Sequence, residues 1–158
     1  MPARSKTFIF TPRIPDVPSV KKIVVDWQRN FRFIGKDENN LTVSFDTAIK
    51  SGGEGTALSP METLLACLGA CTGMDIVLVM KKKRQNLIKF SVEVIGHRRD
   101  EDPMIYTDIK MKYILTGKGL NKEAVERAIE LSEEKYCSVG GMLKKAANIR
   151  TTYEIVEA

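Results

Sequence analysis

The chain is poor in the residues that would place it in several familiar classes. It holds three cysteines and one histidine in 158 residues. Three cysteines do not make a disulfide framework in a chain of this length. A Cys-x3-Cys pair followed by a lone distant cysteine matches no common zinc pattern. No metal and no cofactor is therefore expected, and His97 reads as a solvated histidine in a charged connection. The N-terminus has no apolar run long enough for a secretory signal. An unexported protein meets a reducing cytosol, so the expectation is a cytoplasmic protein whose thiols start out free. Charge of one sign is also modest, at a net +5. Lys and Arg are spread along the chain, and no basic run is interleaved with aromatics, which argues against a nucleic-acid partner. The cluster Lys81-Lys82-Lys83-Arg84 reads as a solvated helix end. Gly52-Gly53-x-Gly55 lacks the Gly-Lys-Ser/Thr signature of a phosphate loop. Internal repeats and low-complexity segments are missing.

What is present is a soluble globular composition, 43% apolar and 28% charged. The length fits one domain that buries roughly two-thirds of its unfolded surface. Four prolines among residues 1–20 predict an extended N-terminal arm. Residues 21–158 then form the single domain. Ile23, Val24, Val25 and Trp27, then Phe31 and Phe33, then Leu41, Val43 and Phe45 alternate with polar residues. They predict an antiparallel meander of about three strands, with 36–40 as a turn. Ser51 to Gly55 reads as a flexible loop.

The clearest helix start follows. Ser59-Pro60-Met61-Glu62 puts Ser at the N-cap, Pro at the first helical position and Glu three residues after the cap. The helix is predicted to run to about Arg84, its basic end suiting the negative pole of the dipole. It is apolar nearly all round, yet slightly short for a membrane span and interrupted by Asp75, Gly69 and Gly73. A central core helix is the better reading, with no membrane partner. Strands are predicted over Phe90–Ile95, Ile109–Leu115 and about Ile149–Val156. Asn121 caps a helix ending near Lys135, and a short helix follows Cys137-Ser138.

The cysteines differ by position. Cys71 lies mid-helix, where the dipole does nothing for it, and Asp75 one turn on opposes a thiolate. Cys137 begins a short helix, a position that lowers a thiol's pKa. Cys67 shares roughly the face of Cys71; a spare resolving thiol is one reading, and core packing is the better one. Glu62 is nine residues before Cys71, about 900° of helix rotation, so it points to the opposite face and serves the cap.

The segment Ser59-Pro60-Met61-Glu62-Thr63-Leu64-Leu65-Ala66-Cys67-Leu68-Gly69-Ala70-Cys71-Thr72-Gly73-Met74-Asp75 resembles the cysteine helix of the OsmC/Ohr family. Glu134-Lys135-Tyr136-Cys137-Ser138-Val139 resembles its second marker. The resemblance covers about residues 20–158 and is closest to the YhfA-like branch. It implies an OsmC-like α+β fold of antiparallel sheets around a long central helix, in an intertwined homodimer. It further implies thiol-dependent hydroperoxide reduction, an antioxidant function in oxidative stress, with an external thiol as reductant. Carried over by position, Cys71 matches the peroxide-attacking cysteine and Cys137 the resolving one. The peroxidase branches hold the cysteine as thiolate with an Arg in a Gly-Arg-Asp-Gly type motif. This chain has Arg29-Asn30-Phe31-Arg32 in that region, so Arg29 or Arg32 would substitute. Where the Ohr branch has a Glu to orient that Arg, this chain has Met61, with Glu62 one residue later. Two other readings stand beside peroxide reduction: a non-catalytic binder of a small apolar ligand, and a thiol-redox sensor.

Overall fold

In a computed structural model of the chain, residues 20–158 are described. The expected arm lies outside them, apart from Val20. The described residues build two separate three-stranded sheets. The first is the N-terminal meander: β1 (Val24–Arg29), β2 (Arg32–Lys36) and β3 (Thr42–Phe45), all antiparallel. Its turns are made by asparagines that tolerate the left-handed region, Asn30 at φ 45° and Asn40 at φ 63°. The Asp37 carboxylate accepts the backbone N–H groups of Asn39 and Leu41 at 2.9 and 2.8 Å, closing the second turn. The register aligns Trp27, Phe33 and Phe45, and beside them Val25, Gly35 and Val43. Strand alternation therefore puts these residues on one face. Among the described residues nothing covers that face: Trp27 is 64% exposed and Val25 54%.

The predicted flexible loop is in fact pinned. After a 3-10 turn (Ile49–Ser51), the buried Asp46 carboxylate accepts N–H groups from Thr47, Glu54 and Thr56 and the Thr56 hydroxyl at 2.8–3.2 Å. These charge-assisted bonds hold its carboxyl at about 2, below the usual 3.8.

Helix α1 (Pro60–Lys82) starts with the expected capping box. The Ser59 oxygen accepts the Glu62 N–H, and the Glu62 carboxylate accepts the Ser59 N–H at 2.8 Å. The second sheet holds β4 (Asn86–Arg98), β5 (Tyr106–Lys118) and β6 (Asn148–Glu157). All three outrun their predicted bounds, and His97 lies within β4 rather than in a connection. β4 and β5 form an antiparallel hairpin, but β5 and β6 are parallel, which corrects the expectation of antiparallel sheets. A tight turn joins only antiparallel neighbours; here a long crossover separates the strands and permits parallel pairing. The crossover contains α2 (Lys122–Leu131), capped by the Asn121 side chain on Ala124 N–H at 2.7 Å. A single π-helical turn (Ser132–Tyr136) and α3 (Ser138–Leu143) complete it.

The core lies between the helices and the second sheet. Leu68, Ile76 and Met80 of α1, Ile109, Tyr113 and Leu115 of β5, and Val125 and Ala128 of α2 are fully buried. β5 buries alternate residues, the period-2 pattern of a sheet with one covered face. Gly73 lets α1 approach β4 closely: a Cβ there would sit 3.0 Å from the Phe90 ring. By length and composition α1 could cross a membrane. In the fold it packs on β4 and α2, and one stripe stays open, with Met74 73% and Leu78 51% exposed. Cys67 is also exposed, not core packing as expected. The buried face of α1 is set by Leu68, Thr72, Ile76 and Val79, and Cys67 falls outside that stripe.

Candidate thiol site

Cys71 and Cys137, 66 residues apart in sequence, come together between α1 and the start of α3. The Cys71 and Cys137 sulfurs and an Asp75 carboxylate oxygen all lie within 4.8 Å of one another. Cys71 and Asp75 share a face because four residues make just over one turn. The π-helical turn supplies the opposite wall. It closes with the Cys137 N–H donating to the Ser132 carbonyl at 2.8 Å. The wider turn leaves Ser132 facing α1 and places Cys137 at the N-cap of α3. Such turns recur at functional sites.

Each sulfur has a distinct environment. Cys71 is half-buried and reachable from solvent. Cys137 is 7% exposed. Its sulfur accepts the Gly140 N–H at 3.3 Å and lies 3.4 Å from the Thr72 hydroxyl. That hydroxyl donates to the Leu68 carbonyl at 2.8 Å. Either atom of the Thr72–Cys137 contact can donate, and the hydroxyl can turn to donate to the sulfur when it ionises. Burial pushes the Cys137 thiol above its ordinary pKa, a shift that the Thr72 and Gly140 bonds reduce and neighbouring Cys71 increases. This reverses the expectation drawn from its place at a helix start: desolvation outweighs the few oriented N–H groups of a six-residue helix. The space around Cys137, walled by Thr72, Tyr113, Glu133 and Ile149, is only about 10 Å³, barely one water.

The polar surroundings are organised. The fully buried Ser132 hydroxyl donates to Asp75 Oδ2 at 3.0 Å. Glu133 accepts from the Tyr113 hydroxyl at 3.3 Å through its carboxylate and from the Lys144 ammonium at 2.7 Å through its carbonyl. Burial and the Glu133 charge raise the Tyr113 phenol strongly. A groove of about 490 Å³ opens beside Asp75, with Leu78, Val79, Leu131 and Tyr136 as walls and Lys82 and Lys83 at its rim.

The other site candidates lie elsewhere. The Arg29 guanidinium makes a two-pronged pair with Glu54, both bonds 3.0 Å, on the meander side of the chain. Arg32 is in β2. Among the described residues neither arginine hydrogen-bonds a cysteine. Glu62 stays in the capping box at the far end of α1. Sequence reasoning missed Thr72, Ser132 and Glu54. It took Asp75 only as an opposing charge. The available signal was Cys71-Thr72-x-x-Asp75, which sets three polar side chains on adjoining faces of an otherwise apolar helix.

A family model described as OsmC-like protein matches residues 53–152. Protein YhfA of Escherichia coli K12 is 40% identical over 134 residues, spanning 85% of this chain and 97% of its own. A solved structure of a hypothetical protein from Aquifex aeolicus VF5 superposes with a TM-score of 0.78 at 32% identity, covering 89% of this chain and 98% of that one. An organic hydroperoxide resistance protein OsmC from Legionella pneumophila superposes with a TM-score of 0.64 at 16% identity, covering 88% and 99%, which shows a shared fold.

Proposed function

This chain belongs to the OsmC-like family, and from that premise we propose that it reduces hydroperoxides through the Cys71–Cys137 pair. The observation that carries the reading is the asymmetry of two adjacent thiols, one reachable and one sealed. A peroxide has no room at Cys137, so attack falls to Cys71 and resolution to Cys137. The Cys71 thiolate attacks one oxygen of the O–O bond. The other oxygen leaves and takes a proton as an alcohol, or as water from hydrogen peroxide. Cys71 becomes a sulfenic acid. The Cys137 sulfur then displaces its hydroxyl, water departs and a disulfide forms. An external thiol returns two electrons and two protons by exchange. Thiols that begin reduced suit the cytoplasm.

A thiolate beside Asp75 calls for a cation. In this reading it comes from a partner subunit of a homodimer. The apolar face of the meander, with Val25, Trp27, Phe33 and Val43 left open by the described residues, supports such a partner, because an exposed apolar patch of this kind marks an interaction surface. Glu54 holds Arg29 in a fixed orientation, so Arg29 is the favoured cation and Arg32 its neighbour. Glu62 remains a cap.

The test uses one equivalent of cumene hydroperoxide on reduced protein, with free thiols counted by mass spectrometry. Rapid loss of two thiols, abolished by Cys71→Ser, is expected. If Cys71→Ser consumes peroxide as fast as the parent, the reading is wrong. A second reading, binding of a small apolar ligand, rests on the open groove of about 540 Å³ along α1 and β4, lined by Leu65, Gly69, Gly73, Phe90 and Val92. Slow oxidation with no dependence on Cys71 favours that reading.

A further inference from the structure

We infer that the reduced thiol cluster is a binding site for a soft divalent cation of the zinc class, with Cys71, Cys137 and Asp75 as its three protein ligands. The donor set is the first ground. Two sulfurs and one carboxylate oxygen lie within 4.8 Å of one another, one atom from each side chain. Thiolate and carboxylate oxygen are ordinary zinc donors, at about 2.3 Å and about 2.0–2.2 Å from the metal. Around a tetrahedral ion these bonds place sulfurs about 3.8 Å apart, so the ligands close in by about 1 Å at most. The spacing repeats a common device, two ligands one helical turn apart with a third from a remote element. It escapes a search for Cys and His because the helical pair is Cys71 and Asp75.

Groups outside the donor set support the same site. Two of the three are already oriented by groups behind them. The buried Ser132 hydroxyl donates to Asp75 Oδ2 at 3.0 Å. The Gly140 N–H donates to the Cys137 sulfur at 3.3 Å, and Thr72 approaches it at 3.4 Å. Outer-sphere hydrogen bonds of this kind accompany metal ligands and fix their direction. Among the described residues no Lys or Arg hydrogen-bonds any member of the cluster, and the nearby Lys144 is engaged by the Glu133 carbonyl. Two thiolates and a carboxylate this close repel one another, and a divalent cation offsets most of that charge. Three ligands leave a fourth position for water.

The consequence is regulatory. A cation bound to Cys71 occupies the lone pair that would attack a peroxide. The metal and a partner's arginine are alternative counter-charges for one cluster, so metal binding suppresses peroxide reduction. Only this consequence rests on the proposed function; the binding site does not.

The experiment titrates Co²⁺ into reduced, full-length protein without oxygen, following sulfur-to-cobalt charge-transfer absorption. Zn²⁺ affinity is then read by competition with a chromogenic chelator. One metal per chain is expected, with the charge-transfer band lost in Cys71→Ser and in Cys137→Ser. Ser132→Ala should weaken Zn²⁺ by about 10–100-fold, the usual cost of an outer-sphere partner. Asp75→Asn should weaken it at least as much. The parent protein oxidised to its disulfide with diamide should bind none, a control that needs no variant to fold. Absence of stoichiometric binding overturns the inference. So does unchanged affinity in both Asp75→Asn and Ser132→Ala, which would leave a dithiol that chelates alone. Peroxide turnover is measured separately in metal-free buffer. Metal binding without turnover sinks the peroxidase reading alone, and turnover without metal binding sinks the metal site alone.

Discussion

Replacing Thr72 with Val tests how the buried thiol is made competent. The two side chains have the same shape, so the change removes one hydroxyl from a site only 2% exposed. That hydroxyl lies 3.4 Å from the Cys137 sulfur and is among the groups that hold its pKa down. A net hydrogen bond is worth about 0.5–1.5 kcal/mol. Its loss raises the Cys137 pKa further, and at about 1.4 kcal/mol per tenfold the thiolate becomes rarer by that energy. The thiolate fraction then falls by about 3–10-fold. A more basic thiolate is a better nucleophile, with a Brønsted slope of about 0.5, so half of that loss is recovered in the rate. Disulfide closure should therefore slow by about two- to fourfold at neutral pH. The deficit should vanish as pH rises past the already elevated Cys137 pKa, where both proteins are ionised. Rapid quench with dimedone, which traps the Cys71 sulfenic acid, reads the closure rate by mass spectrometry. Attack of Cys71 on peroxide, read as the rate of sulfenic acid formation, should not change. If closure is as fast in the variant at every pH, the Thr72–Cys137 contact does no chemical work. If attack slows as much as closure, the substitution has disturbed α1 as a whole.

Three further outcomes follow from the same structure. The Asp46 carboxyl, held at about 2 against an ordinary 3.8, contributes stability above pH 3.8 that is lost as pH falls toward 2. Asp46→Asn should remove that acid dependence and speed proteolytic nicking of residues 47–58, read by mass spectrometry of the fragments. Ile76→Ala, at a fully buried position of α1, should cost about 2–5 kcal/mol in urea unfolding, whereas Met74→Ala on the open stripe should cost far less in the isolated subunit. Trp27→Lys puts a charge on the apolar face of the meander. Sedimentation should show the proposed homodimer weakened, and peroxide turnover should fall with it; a fully active monomer would refute the role given to a partner's arginine.

Short-range chemistry was legible before any fold was known. The Ser59–Glu62 capping box, the Asn121 cap, the turn at 36–40 and the alternation along β5 depend on residues within about one turn or one strand of each other. Each signal appears in the structure close to its predicted place. Element ends were less legible: β4 and β5 extend over 13 residues each because pairing with a neighbour, not propensity, decides where a strand stops. The resemblance named both cysteines, since a motif preserves residue identity and order. It carried no record of how deep each sulfur lies.

Tertiary structure decided the rest. The sequence by itself determined a long apolar helix carrying Cys71 and a later helix start carrying Cys137, because capping and periodicity are local free energies. It could not determine that Cys137 is sealed, since burial comes from Tyr113, Leu68 and Ile149 on other elements. Desolvation by those distant residues raised a thiol that its helix position alone would have lowered. The same long-range packing made β6 parallel to β5 and left Cys67 outside. It also turned Asp75 from an isolated charge on a helix into the third member of the thiol cluster.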